Sequence, residues 1–332
     1  MYQTLKNLTP TQQIGALFVL VFGLLLLAGL VVFLNSMRDY EDPQQAARHE
    51  DEIDNLSRLL KTSWMLLFVF WLAWLAGDIS RLVLFGTGSF FALREFMTLS
   101  PTRHGDHRSL VLAFFGVLPF QYWLVGTEHF NLFTVFIPVY VFLALPVTSA
   151  LSNDPKQFLE RNAKLQWGIM VCIYGMSHVP ALLLLKFPHY SQKNAFLVLF
   201  LVLVVQSCMV TQHLVSRRLM QLGKLPTLPA ISQSFSWRAW WAGMISGSLL
   251  GGLLAGITPF VPGQAFALSF IACAAGSMGH LVMKALKRDR GIPMWRGEGR
   301  GITGAGGMLD RIDALCFAAP VFFHSVRWYF DL

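Results

Sequence analysis

Two acidic residues near the C-terminus, Asp310 and Asp313, are the residues best suited to chemistry. Residues three apart share one face of a helix, so both carboxylates would point the same way. Paired carboxylates of this kind can hold Mg²⁺ against substrate phosphates. Arg311, between them, would point elsewhere and could contact a headgroup phosphate. The alternative is structural: Asp310 caps the helix that follows, and Asp313 lies in its first turn.

A glycine-rich segment precedes the acidic pair. Residues 297–307 contain six glycines among eleven positions and end in Gly306 and Gly307. Glycine lets backbone N–H groups approach phosphates closely, but a flexible connector has the same composition. Earlier in the chain, Lys287 and Arg288 could bind an anionic substrate or anchor a helix end at an anionic membrane surface. In either interpretation, basic residues and a glycine-rich segment lie close to the acidic pair in the sequence.

The composition is that of a polytopic membrane protein. Of the 332 residues, 55% are hydrophobic and 13% are charged, and the mean hydropathy is +0.52. Soluble domains carry about 25% charged residues, so this chain has too few charges to cover a water-facing surface. Most of the net charge of +8 lies in loops between apolar segments. It therefore indicates contact with anionic lipid headgroups and does not indicate nucleic-acid binding.

We predict an all-α fold with about nine transmembrane helices, because a span needs about 20 apolar residues. The apolar segments cover approximately 14–34, 64–84, 110–126, 131–148, 166–186, 195–215, 240–260, 265–286 and 314–328. Residues 1–62 are predicted to form an N-terminal helix and a polar extramembrane segment, and 63–332 the main transmembrane domain. The four cysteines are far apart in apolar segments, where they are most simply small buried residues.

The charges of the loops predict the orientation. Of the 26 Lys and Arg residues, 18 fall on the side of the predicted membrane that holds the N-terminus and the glycine-rich segment. Seven fall on the other side, and Arg81 lies within a predicted span. Because basic loops stay in the cytoplasm, the N-terminus and the glycine-rich segment are predicted to be cytoplasmic.

Around Asp310 the sequence resembles a known family. Three stretches carry the resemblance: SFFALREFMTLSPTRHGDHR (89–108), FLERNAKLQWGIMVCIYGMSHVPALL (158–183) and GGMLDRIDALCFAAPVFFH (306–324). They are similar to those of the phosphatidate cytidylyltransferases, also called CDP-diacylglycerol synthases. The resemblance implies an all-helical membrane enzyme that transfers a cytidylyl group from CTP to phosphatidate and releases diphosphate. It also implies Mg²⁺-type sites at cytoplasmic helix ends and a homodimer.

Matched residue by residue, the acidic motif of the family is complete, while several other motif positions differ. Its Asp-Arg-x-Asp falls on Asp310, Arg311 and Asp313, preceded by Gly306 and Gly307. Ser232 and Ser234 lie in the stretch that matches an earlier phosphate-binding motif. The departures are Cys208 and Met209 for a Ser-Asp pair, Phe235 for a lysine, Arg238 for a glutamate, Pro293 and Met294 for a Lys-Asp pair, and Ala305 for a histidine.

Two hypotheses follow from this division. In the first, the protein is a catalytically degenerate homologue that binds phosphatidate, another anionic phospholipid or a protein partner. Methionine is a poor Mg²⁺ ligand, and the lost carboxylate and lysine would each have stabilised the transition state by several kcal/mol. In the second, it is an active synthase that takes CTP and uses Asp310 and Asp313 as Mg²⁺ ligands. Lys287, Arg288, Arg311, the two serines and the two glycines would then contact the substrate.

Overall fold

The computed structural model describes residues 10–37, 53, 57, 60, 64, 68, 77–98, 100, 102–187, 194–224, 226–232, 235–291 and 307–331. The chain divides into two compact units, Asn7–Leu84 and Phe85–Leu332. The predicted domain boundary at residue 62 falls outside the described residues, as does most of the polar segment before it. That boundary stays a prediction.

Every regular element within the described residues is helical, which confirms the all-α prediction. The helices are α1 (Pro10–Ser36), α2 (Asp78–Thr98), α3 (His104–Gly126), α4 (Phe130–Ala150), α5 (Phe158–Ile169, Met170–Gly175 and Met176–Leu183 in succession), α6 (Ala195–Gln221), α7 (Trp237–Ile257), α8 (Pro262–Asp289) and α9 (Leu309–Phe330). In this part of the chain, α3, α4, α6, α7 and α8 are long and apolar enough to cross a membrane. The total of nine spans stays a prediction. Most of the predicted span 64–84 lies outside the described residues, and α2 begins only at Asp78.

Helices α6, α7, α8 and α9 pack against one another and form the bundle that carries the acidic pair. Glycines on α7 allow the close approach. A Cβ built at Gly247 would lie 2.5 Å from Sγ of Cys273, and one built at Gly251 would overlap Oγ of Ser269. Small residues four apart let helix backbones approach in this way. Gly247 and Gly251 therefore serve the packing of α7 on α8.

A buried arginine of α5 ties this helix to the first turn of α3 and to the loop after α4. The side chain of Arg161 is 3% exposed, and its guanidinium pairs with Asp106 at 2.8 Å and with Asp154 at 2.7 Å. It also donates to the backbone carbonyl of Lys156 at 2.8 Å. Two carboxylates and a carbonyl satisfy a charge that would be costly to bury alone. This cluster holds the N-terminal ends of α3 and α5 together.

Candidate functional site

The two aspartates share the face of α9 that packs on α8. Asp313 is 3% exposed, and its Oδ2 lies 2.7 Å from Nδ1 of His280. Asp310, in the first turn, forms an ion pair with Lys287. His280 and Lys287 are seven residues apart, two turns of α8, so both meet the same neighbouring helix. The predicted common face of Asp310 and Asp313 is therefore observed, and each carboxylate has a basic partner across the helix interface.

Glu95 of α2 fixes the chain where it enters α9. Its carboxylate accepts the backbone N–H of Gly307 at 2.8 Å and that of Leu309 at 3.2 Å. Gly307 has a φ of +87°, a left-handed conformation that glycine adopts without strain. Burial raises the pKa of Glu95, while the two backbone donors act to lower it. The carboxylate thus satisfies backbone donors at the N-terminus of α9, which have no partner within the helix.

Beside His280 lies a small polar pocket of about 60 Å³, here called the inner pocket. Its lining comes from α6, α8 and the loop before α7, and consists of Met209, Gln212, His213, Ser216, Ser232, Phe235, Ser277, His280, Leu281 and Lys284. Two residues that the family comparison singled out as departures, Met209 and Phe235, therefore share this pocket with Ser232. The lining contains no carboxylate, and Lys284 supplies a positive charge.

A second and larger pocket adjoins it, here called the outer pocket. It has a volume of about 440 Å³ and is lined by Ser216, Leu219, Met220, Lys224, Pro226, Thr227, Phe235, Ser236, Trp237 and Arg238. The loop that encloses it is closed by a hydrogen bond from the N–H of Thr227 to the carbonyl of Phe235 at 2.8 Å. Ser216 and Phe235 are 3% exposed and belong to both linings. Phe235 therefore stands between the two pockets.

The other predicted site residues divide into two groups. Ser232 is buried in the inner pocket, Gly307 binds Glu95, and Arg288 is exposed near the C-terminal end of α8. Arg311 is partly exposed in the first turn of α9. The remaining predicted residues, Ser234 and Gly306, lie outside the described residues, as do the departures Pro293, Met294 and Ala305.

Sequence reasoning missed three residues that shape the site: Glu95, His280 and Lys284. A signal for two of them was available, because His280, Lys284 and Lys287 follow the i, i+4, i+7 spacing of one helix face. Glu95 had no such signal. Its contact with Gly307 joins positions 212 residues apart, and only the folded chain reveals it.

The described residues do not fit a resident divalent metal. No group of three or more His, Cys, Asp or Glu side chains converges among them. Lys287 pairs with Asp310 and His280 contacts Asp313, so both carboxylates of α9 already have partners on α8. The side chains of Met209 and Phe235 offer the inner pocket no oxygen. A hard cation such as Mg²⁺ requires oxygen ligands. The site instead presents cations and hydroxyl groups, the donors that bind phosphate.

The fold and the site define a helical membrane protein whose two pockets are lined by basic residues and hydroxyl groups and contain no carboxylate. Residues 56–329 match the model of the Cytidylyltransferase family. The chain belongs to this family. That membership confirms the resemblance noted in the sequence.

Individual relatives agree with this result. The chain is 32% identical over 273 residues to "Uncharacterized protein YnbB" of Escherichia coli (strain K12), covering 81% of this chain and 86% of that protein. It is 36% identical over 103 residues to a "Phosphatidate cytidylyltransferase" of Mycobacterium leprae (strain TN), covering 30% and 31% of the two chains. A "Phosphatidate cytidylyltransferase" of Rickettsia felis (strain ATCC VR-1525 / URRWXCal2) is 32% identical over 95 residues, 25% of this chain and 40% of that one.

Proposed function

We propose that this protein is a non-catalytic member of the phosphatidate cytidylyltransferase family that binds anionic phospholipid. One observation carries the proposal. Met209 and Phe235, which stand where the family places an aspartate and a lysine, line the same pocket as His280, the partner of Asp313. The pocket lies next to the acidic motif, and Met209 and Phe235 supply it with neither the carboxylate nor the cation that cytidylyl transfer requires.

The chemistry explains why these losses matter together. Transfer of a cytidylyl group requires metal ions to neutralise the triphosphate and a cation to hold it as the bond breaks. Losing one such interaction costs about 3–4 kcal/mol at the transition state. Two losses of this size reduce the rate by a factor of roughly 10⁴ to 10⁶, because about 1.4 kcal/mol corresponds to tenfold. A protein with these substitutions would make little or no CDP-diacylglycerol.

Lipid binding is supported by the charge that remains. Lys284 lines the inner pocket, Lys287 meets α9, and Arg288 is exposed at the same end of α8. Each basic residue near an anionic membrane surface contributes about 1 kcal/mol of attraction. We place this end of α8 in the cytoplasm, on the strength of the loop charges, and the molecule in the bacterial inner membrane. A homodimer is part of the same proposal, on family grounds.

The test of catalysis uses cells whose own phosphatidate cytidylyltransferase can be depleted. The chain is expressed in their membrane, its amount is checked by immunoblot, and a known phosphatidate cytidylyltransferase serves as the positive control. We expect growth to stop on depletion although the protein is present in the membrane. Sustained growth supported by this chain would contradict the proposal.

The second candidate function is an active synthase of CDP-diacylglycerol or a related CDP-lipid, favoured by the complete Asp-Arg-x-Asp motif. In that case Asp310 and Asp313 hold Mg²⁺, and the substrate contacts Arg311, Lys287, Arg288, Ser232, Ser234, Gly306 and Gly307. Asp313→Asn distinguishes the two functions. It would abolish growth support by an active enzyme, and it leaves a non-catalytic homologue as inactive as before.

A further inference from the structure

We propose that the outer pocket binds the phosphate of an anionic phospholipid between Lys224 and Arg238, and that the inner pocket does not. This assignment rests on the proposed lipid-binding function and gives it a location. No motif of the sequence points to Lys224, and Arg238 is one of the departures from the family pattern.

The outer pocket lies where a lipid headgroup would meet the protein. Helix α6 ends at Gln221 and α7 begins at Trp237, and both are long and apolar enough to span a membrane. The loop that joins two consecutive spans lies at a membrane surface, and this loop lines the pocket. Around it, large apolar side chains are exposed: Met220 at 48%, Leu222 at 73% and Trp237 at 50%. Tryptophan is enriched at this depth because its ring is amphipathic.

The volumes of the two pockets favour the outer one. Ligand pockets in proteins measure about 300–1,000 Å³, and a single water needs about 10–15 Å³ of such space. At about 440 Å³ the outer pocket admits a phosphate with its glycerol and the first part of the acyl chains. The inner pocket, at about 60 Å³, has room for only a few waters.

The charges of the outer pocket select an anion. Lys224 and Arg238 both line it, and the lining contains no carboxylate. Ser236 Oγ accepts the N–H of Ala239 at 3.3 Å, which leaves its hydroxyl hydrogen able to donate to a ligand oxygen. Phosphate recognition by one arginine, one lysine and a hydroxyl is a common combination. The apolar residues at the mouth distinguish an amphiphilic phosphate from a soluble one.

Phe235 keeps a ligand in the outer pocket away from Asp313. Its side chain belongs to both linings, is 3% exposed, and packs edge-on against Trp237 with ring centroids 5.4 Å apart. A lysine at this position could reach into either pocket, whereas Phe235 places an apolar ring where the two linings meet. The bound lipid is therefore held beside the former reaction site without entering it.

The test measures binding of dioctanoyl phosphatidate to the purified full chain in detergent, with dioctanoyl phosphatidylcholine as the neutral comparison. In the double variant Lys224→Gln/Arg238→Gln we expect at least tenfold weaker binding of phosphatidate. Lys224→Arg/Arg238→Lys keeps both positive charges, so the Coulombic attraction remains and binding should stay within about threefold of the parent. The matched control Lys156→Gln/Arg108→Gln removes the same two charge types from exposed positions elsewhere and should leave affinity within twofold.

The outcomes separate the inference from the function on which it rests. If the parent chain does not prefer phosphatidate to phosphatidylcholine, the proposed function itself fails. If the parent binds but Lys284→Gln weakens binding and the outer-pocket variant does not, the ligand is in the inner pocket and the inference is wrong. Equal weakening by the control and the outer-pocket variant would reduce the effect to net charge and also overturn it. Displacement of phosphatidate by equimolar inorganic phosphate or CTP would assign the pocket to a soluble anion.

Discussion

Removing the carboxylate of Asp313 should destabilise the bundle by an amount that can be worked from its contacts. The side chain of Asp313 is 4% exposed and that of His280 is 24% exposed, and the two groups lie 2.7 Å apart. Asp313→Ala leaves the donor of His280 without its acceptor and also removes a side-chain acceptor from the Ala314 N–H. A partly buried donor left unsatisfied costs about 1–3 kcal/mol. We expect a loss near the middle of that range.

Two companion variants show whether the hydrogen bond or the charge is responsible. Asp313→Asn keeps an acceptor oxygen for the imidazole N–H, so its cost should be about 1 kcal/mol or less. Asp310→Asn removes an ion pair whose aspartate is 24% exposed, and should cost about 1 kcal/mol or less. The expected order of stability is parent, the two asparagine variants, then Asp313→Ala.

The assay is equilibrium unfolding in a fixed detergent, followed by the fluorescence of the ten tryptophans. It is read at neutral pH and without divalent ions, so that no ligand contributes to the differences. The reasoning is wrong if Asp313→Ala lies within about 0.5 kcal/mol of the parent, the range of an ordinary surface substitution. It is also wrong if Asp310→Asn is more damaging than Asp313→Ala, because the more exposed pair would then dominate.

Three further predictions concern the supports of the site. Glu95→Gln should lower the free energy of unfolding by about 1–2 kcal/mol in the same assay, because one amide oxygen cannot replace two carboxylate oxygens that each accept a backbone N–H. An unchanged free energy of unfolding would show that Glu95 does not support α9. Gly251→Ala should lower the free energy of unfolding by about 1–3 kcal/mol, because its added Cβ overlaps Ser269. The control Gly252→Ala should be neutral, because its added Cβ meets nothing closer than 3.8 Å. Equal effects of the two variants would contradict the packing argument. Asp154→Asn should flatten the loss of thermal stability between pH 5 and 3, a range about the ordinary aspartate pKa, and an unchanged slope would contradict it.

The sign of that pH effect follows from the environment of Asp154. Desolvation acts to raise its pKa, but the N–H of Lys156 and the guanidinium groups of Arg161 and Arg103 outweigh it and hold the pKa below its usual value. A carboxyl with a lowered pKa stabilises the folded state above the ordinary aspartate pKa. That contribution is lost as the pH falls through the lowered pKa.

The fold class could be predicted from composition, because a chain with so few charges has to bury its surface in lipid. The common face of Asp310 and Asp313 also followed from spacing alone. Their partners did not, because His280 and Lys287 meet them only through the packing of α8 on α9, which helical periodicity does not specify. The structure does not describe the glycine-rich segment up to Gly306, so its predicted contact with phosphate stays a prediction.

The pockets lie beyond what the sequence could reveal. Met209, Phe235 and Lys284 come from two helices and a loop. No local sequence pattern predicts that these three residues line the same pocket. The family resemblance marked Met209 and Phe235 as departures one at a time. The structure shows that both residues line one small cavity beside the acidic motif. The two departures therefore change the chemistry of the same cavity.

The most direct test of the central claim is a single-turnover assay with the purified chain. Protein in excess is mixed with labelled CTP, phosphatidate in detergent and about 10 mM Mg²⁺, enough to populate even a millimolar site by about 90%, and labelled CDP-diacylglycerol is quantified against a known phosphatidate cytidylyltransferase. We predict no product above a protein-free blank within an hour, while phosphatidate binding persists in the same preparation. Conversion of the labelled CTP within seconds would contradict the account and establish the protein as an active synthase.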